Sequence, residues 1–205
     1  MELEGMNGYY KLRKRALEIL NSELPKGLYY HSLTHTLDVL NTSNNYIKRE
    51  NINTEDAKLL RIAVFFHDTG FTKKYVDHEE VSSNIAISLM EEFDFSEQDI
   101  CKVKGLIMAT RIPQLPATHL EKIICDSDLD YLGRSDFYPI SDQLFKELQF
   151  RSMIDSKLEW DKVQIKFLER HTYHTQFAIK NRQPNKEKRI KELKNSVLKA
   201  EKHPH

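Results

Sequence analysis

The chain has 205 residues, enough to bury one sizeable core, and that length favours a single domain over two. Lysine plus arginine equals aspartate plus glutamate at 31 each, so no global field recruits a nucleic-acid polymer or an anionic membrane, and any phosphate binding has to be local. No apolar run approaches the roughly 18 residues of a membrane span, and Met1-Glu2-Leu3-Glu4-Gly5 lacks the charged-then-apolar layout of a signal peptide, so a cytoplasmic location is expected.

Six glycines and six prolines, with apolar residues recurring at three and four rather than two, predict an all-α protein. Tyr10 to Leu20 reads as a first helix through Leu12, Ala16, Ile19 and Leu20, ended by Asn21-Ser22-Glu23-Leu24-Pro25-Lys26-Gly27. The next helix is expected to begin near Ser32 or Thr34, either of which can cap its first turn, and to run to about Arg49. Its start, Tyr29-Tyr30-His31-Ser32-Leu33-Thr34-His35, sets two histidines at i and i+4, neighbours on one helix face. Asp38, three residues past His35, can orient that imidazole from behind, as metal-bound histidines usually require, or can serve as a cap or surface partner.

Asn53-Thr54-Glu55-Asp56 opens a third helix in which Leu59, Leu60, Ile62, Ala63, Val64, Phe65 and Phe66 are apolar nearly all round, so it is buried. It carries His67 and Asp68 into the interior, with Gly70 expected to end it. Imidazole and carboxylate are the ligand pair that suits first-row divalent metals, and a site that leaves positions open to water can do hydrolysis. Taken alone, a His-Asp pair is also a common buried structural hydrogen bond. Thr72 to Asp77 is a polar, basic loop with Lys73 and Lys74, after which His78-Glu79-Glu80 opens a helix through Val81, Ile85, Ala86, Leu89 and Met90.

Ser96 reads as the N-cap of a helix through Ile100, Val103, Leu106 and Ile107, and Arg111 to Pro116 as a rigid connector. A helix from Ala117 to Tyr131 places Leu120, Ile123, Ile124 and Tyr131 on one side. Asp126 falls well off that face, whereas Asp128 and Asp130 flank it about equally, so the helical period does not choose between those two. An unpaired carboxylate on so apolar a helix is costly. Cys101 and Cys125 lack CxxC spacing and sit among apolar residues, which predicts two buried, reduced thiols. Farther on, Trp160, Val163, Gln164, Phe167, Leu168 and His171 suit an amphipathic helix, and Ile190, Leu193, Val197 and Leu198 repeat the pattern in a lysine-rich tail. These read as covering helices rather than a second domain. His171, Tyr173, His174 and Arg182 are candidates to line a pocket, or to be ordinary core and surface residues.

The order His35, His67-Asp68, Asp128 over residues 29–133 resembles the HD-domain metal-dependent phosphohydrolases. Within that superfamily Tyr30-His31-Ser32-Leu33-Thr34-His35-Thr36-Leu37-Asp38-Val39 is similar to the Tyr-His-Asn-x-x-His-Ala-x-Asp-Val signature of cyclic-nucleotide phosphodiesterases, with Ser32 for the usual Asn and Thr36 for the usual Ala. The resemblance implies one HD-like helical domain over 1–205, with a C-terminal helical extension over about 134–205. It also implies a divalent ion (Mn, Co, Ni, Zn, Fe or Mg) held by His35, His67, Asp68 and Asp128. The choice of Asp128 rests on the Asp-Leu pair that the phosphodiesterase branch shares with Asp128-Leu129, with Asp126 as the fallback.

By the same resemblance Asp68 belongs to the catalytic centre and His31 protonates the leaving oxygen, a task that suits imidazole at neutral pH. His78 matches the region that ligates a second ion in two-metal relatives. The companion histidine is missing, since Val103 to Thr110 reads Val-Lys-Gly-Leu-Ile-Met-Ala-Thr. One tightly held metal is therefore expected, with His78 behind it or against the phosphate, and Lys73, Lys74 and Arg111 are the nearest cations for a nonbridging oxygen. The expected activity is hydrolysis of a nucleotide or other small phosphate ester by metal-activated water, in a chain free to form a homo-oligomer. The alternatives are a non-catalytic nucleotide or metal sensor and a two-iron oxygenase, which the absent ligand near Thr110 disfavours.

Overall fold

The computed structural model describes residues 2–202, with side chains from Asn7 onward, so Met1-Glu2-Leu3-Glu4-Gly5, searched above for a leader, lies outside the described side chains. The chain divides into two compact units, Met1–Asp128 and Leu129–His205. Every regular element among the described residues is helical. None of those helices is long and apolar enough to cross a membrane.

The first unit contains α1 (Glu2–Ser22), α2 (Leu33–Arg49), α3 (Thr54–Phe66), α4 (His78–Glu92), α5 (Glu97–Ala109) and α6 (His119–Asp128), with a 3-10 turn at Thr69–Thr72. Its organising element is α3, which packs against α1, α2, α4, α5 and α6. The reason is compositional: Leu59, Leu60, Ile62, Ala63, Val64, Phe65 and Phe66 are each buried, and a large apolar side chain so buried contributes about 1.5–3 kcal/mol. Asn53 starts the helix, its side-chain oxygen accepting from the Asp56 amide at 2.9 Å. Ser96 caps α5 in the same way through the Asp99 amide at 3.2 Å. At α2 the cap position is Ser32 rather than Thr34, with no side-chain capping bond. Its carbonyl accepts from the Thr36 amide at 3.1 Å instead.

Three expectations need correcting here. Gly70 does not stop α3, which ends at Phe66 with His67 as its cap. Gly70 is required by close approach: a β-carbon there would lie 1.9 Å from the His78 carbonyl oxygen, so the two segments meet backbone to backbone. The helix expected over Ala117 to Tyr131 is shorter, because α6 ends at Asp128 and the chain tightens into a separate 3-10 turn at Asp130–Gly133. Of the two thiols, Cys125 is buried but Cys101 is exposed; α5 turns its Val103, Leu106 and Ile107 side inward and Cys101 falls on the other face.

The second unit contains the turn Asp130–Gly133, α7 (Phe137–Phe150), α8 (Lys157–Arg170), α9 (Gln176–Asn181) and α10 (Gln183–Lys202). Trp160, Gln164 and Leu168 are buried on α8 as the pattern predicts, while Val163 is exposed and His171 follows the helix as its cap. On α10, Leu193 and Val197 are buried and Leu198 is not. Sequence patterning missed α7, where Pro139 reads as a breaker but occupies the first turn, the one place a helix tolerates it. The Trp160 indole donates to Ser141 Oγ at 3.2 Å, tying α8 to α7.

Candidate metal centre

Three helices of the first unit converge on one point. The α2–α6 and α3–α6 contacts bring His35, one turn into α2, and His67, which caps α3, to Asp128, the last residue of α6. The Nε2 atom of His35 lies 3.1 Å from Asp128 Oδ1 and 3.4 Å from Nε2 of His67, and His67 Nε2 is 3.5 Å from the same carboxylate oxygen. These three side chains form a group able to hold a metal ion. Donors about 2.0–2.2 Å from a common ion sit about 2.9–3.5 Å apart at neighbouring positions, the spacing found here.

Asp68 faces the same pair of histidines. Its Oδ2 is 3.5 Å from His35 Nε2 and 3.4 Å from His67 Nε2, yet it is buried and accepts no hydrogen bond. An orphaned buried carboxylate oxygen is expensive unless a cation satisfies it. His67 is held from behind: its Nδ1 donates to the Val64 carbonyl at 2.8 Å, which turns Nε2 toward the two carboxylates. The donor set, two imidazole nitrogens and carboxylate oxygen, fits a first-row divalent ion.

The electrostatics follow. Burial works to lower the His67 pKa, but the charges of Asp68 and Asp128 outweigh it and push it up to about 9. Burial likewise works to raise both carboxylates, and the surrounding histidines overcome it, holding Asp68 and Asp128 well below the usual range.

Around the centre lies an aromatic wall. His31 sits at the mouth of α2 with its ring 4.2 Å from that of Phe71 and 6.2 Å from that of His35. His78 stacks on Phe71 at 3.8 Å and points Nε2 at the second oxygen of Asp68, 3.3 Å away. Asp68 thus spans two groups of histidines, one oxygen to each. Tyr30 lies 4.6 Å from the His35 ring and Tyr75 5.2 Å from Phe71.

The remaining candidates lie at the rim or away from the centre. Arg111 faces Asp77 at 3.3 Å, Glu79 at 3.7 Å and Glu80 at 4.0 Å. Lys74 faces Asp77 at 3.9 Å, and Lys73 is exposed beside it. Asp126 is buried and lies outside the group His35, His67 and Asp128 that could hold an ion, and Asp130 turns to Arg182 at 2.8 Å in the second unit. There, of the residues considered as pocket-lining, the His171 and Tyr173 rings meet edge to face.

Sequence reasoning missed Phe71, Tyr75 and Glu79. Phe71 stood next to Gly70, but nothing in its spacing marked a ring under two imidazoles. Glu79 is buried 3.7 Å from His78, although an acid in a first helical turn ordinarily reads as a solvated dipole partner. No family model matches this sequence, and no curated protein or solved structure matches it.

Proposed function

We propose that this chain is a metal-dependent phosphohydrolase acting on a small phosphate ester, with His35, His67, Asp68 and Asp128 holding one divalent ion. The observation that carries the reading is the unsatisfied Asp68 Oδ2 facing the two histidine nitrogens that also face Asp128. When bound, a divalent ion supplies Lewis-acid polarisation of a phosphoryl oxygen and lowers the pKa of water. The protein's own residues do the rest. Asp68 orients His78 through its second oxygen, Phe71 excludes water beneath His31 and His78, and an imidazole nitrogen of His31 gives its proton to the departing ester oxygen.

Purified chain loaded with Mn²⁺, Co²⁺, Ni²⁺, Zn²⁺, Fe²⁺ or Mg²⁺ is expected to release phosphate, or a nucleoside monophosphate, from a member of a nucleotide and sugar-phosphate panel. His67→Ala and Asp68→Ala each abolish that release, and His31→Asn lowers kcat by about 10²–10⁴-fold with metal content retained. Stoichiometric metal with no turnover under any ion refutes the reading.

A further inference from the structure

We propose that the cleft between α1 and α2 is a docking groove for an amphipathic helix of a partner protein, one that carries acidic residues beside its apolar stripe. The groove has a volume of about 610 Å³ and lies within the first unit, and none of His35, His67, Asp68 and Asp128 lines it. Its apolar lining comes from both helices. On α1, Tyr10 and Leu17 stand two turns apart on one face; on α2, Leu33 and Leu37 stand one turn apart, with the buried His35 between them in sequence turned to the other side. Tyr10 is 52% and Leu37 45% exposed, whereas Leu17 and Leu33 are half-buried. A single exposed apolar side chain is ordinary. Four that line one groove, along the roughly 16 Å of α1 from Tyr10 to Asn21, form a seat that about three turns of helix can fill.

Charge selects the occupant. The chain as a whole is balanced, but α1 from Tyr10 to Asn21 carries Lys11, Arg13, Lys14 and Arg15 against Glu18 alone. Arg13, Lys14 and Glu18 line the groove, and Glu18 is shared, lying 4.0 Å from Lys14 and 3.7 Å from Arg15. Arg15 reaches on to Glu23 at 2.8 Å, and Lys11 lies 5.3 Å from the centre of the Phe93 ring. Arg13 and Lys14, both exposed, therefore give the rim of the groove an excess of positive charge. Two copies of the chain joined groove to groove set that excess against itself, and the lysine-rich α10 of another copy brings more of the same sign. A bilayer is flat on this scale and does not reach the half-buried Leu17 and Leu33. A helix whose apolar stripe is flanked by carboxylates matches both the shape and the charge.

Fluorescence anisotropy on the full chain tests the assignment with labelled helical peptides of about 15 residues, long enough to fold. The first has leucine at i, i+3, i+4 and i+7 flanked by glutamate, the second has lysine for every glutamate, and the third has serine for every leucine. The first is expected to bind about tenfold or more tightly than either of the others, and to weaken as salt is raised. The R13E/K14E double variant reverses the order of the glutamate and lysine peptides, and Leu37→Ser weakens the first peptide about tenfold. All three positions are exposed, and both variants keep the wild-type thermal midpoint. Equal affinities for the glutamate and lysine peptides, or affinities that the two variants leave unchanged, overturn the proposal. A dimer that Leu37→Ser dissociates in sedimentation assigns the groove to a second copy. Phosphatidylserine vesicles that bind the wild type and not R13E/K14E, with no peptide bound, assign it to a membrane surface. Either result overturns the acidic helix as occupant.

Discussion

The carbonyl oxygen of His78 occupies space that any side chain on Gly70 would need, with only 1.9 Å to an ideal β-carbon, and the Gly70 amide donates to Ser82 Oγ at 2.8 Å. The His78 carbonyl carbon and the Ser82 nitrogen would lie at 2.8 Å, and all three atoms are backbone, so no rotamer relieves the contact. Gly70→Ala is expected to push the start of α4 away from the turn at Thr69–Thr72, carrying His78 off Phe71 and out of reach of Asp68. The expected cost is about 2–3 kcal/mol, at the upper end of overpacking, read as a loss in thermal midpoint together with loss of stoichiometric metal. A variant with unchanged midpoint and metal content contradicts the close approach.

In the proposed metal centre the proton on His67 would compete with the ion for the same nitrogen. In the metal-free protein Asp68 and Asp128 overcome burial and raise His67 from an ordinary 6.5 to about 9, so this group's contribution to stability is complete below about pH 6.5 and is lost as pH rises through about 9. Asp68 and Asp128 are depressed, so their contribution is present above the usual carboxylate range and lost only in acid. Metal binding displaces the His67 proton, and the apparent affinity should rise by up to about tenfold per pH unit toward pH 9 and then level off. Calorimetry in buffers of different ionisation enthalpy checks the released proton. An affinity flat from pH 6 to 9 contradicts a shared nitrogen.

Capping and periodicity place His35 and His67-Asp68 at helix ends, whereas grouping them with Asp128 comes from the family resemblance; the structure brings His35, His67 and Asp128 together as a group that could hold an ion. His35 falls in the first turns of the helix expected from Ser32 or Thr34, and His67-Asp68 at the end of the apolar run that buries α3. Helical period left Asp128 and Asp130 undecided because both flank the apolar face, and the structure separates them: α6 stops at Asp128 and Asp130 belongs to a tighter turn. What the sequence concealed is three-dimensional: the ring of Phe71 under two histidines, the burial of Glu79, and the meeting of Gly70 with His78. Each depends on how the Thr69–Thr72 turn meets α4, a contact that no local pattern encodes.

That distinction at α6 is itself testable. Asp128→Asn is expected to remove bound metal and catalysis together, since its Oδ1 is the oxygen facing both histidines. Asp126→Asn changes a buried carboxylate outside the ligand group and should lower the thermal midpoint while leaving metal stoichiometry at the wild-type value. Metal content measured on the two purified variants decides the matter, and the reverse pattern would move the ligand to Asp126.

The two cysteines report on folding without any engineered probe. Cys101 is exposed, whereas Cys125 is buried, donates its thiol to the Ala109 carbonyl at 3.0 Å, and has its pKa pushed far up by burial and by the nearby Asp128 and Asp126 charges. A thiol-disulfide reagent at pH 8 should therefore label one thiol within seconds to minutes and the second only as fast as the protein opens. Because Cys125 lies three residues before Asp128, added metal is expected to slow the second phase alone. Two fast thiols in the folded protein contradict the packing of α6.

In the second unit, Lys186 is buried beside His171, its ammonium donating to the His171 carbonyl and lying 3.3 Å from His171 Nδ1, with the Tyr173 ring 5.6 Å away. Burial lowers its pKa from 10.5 to about 8, only partly offset by Glu187. A base depressed by folding contributes its full stability above about pH 10.5 and loses it as pH falls through about 8, so at neutral pH the buried charge is a net burden. Lys186→Met keeps the packing and removes the titration. The stability of the wild type relative to this variant, from urea unfolding, should therefore rise as pH goes from 8 to 10.5 and stay constant below 8. A difference independent of pH would mean that Lys186 titrates in the folded protein as it does in water.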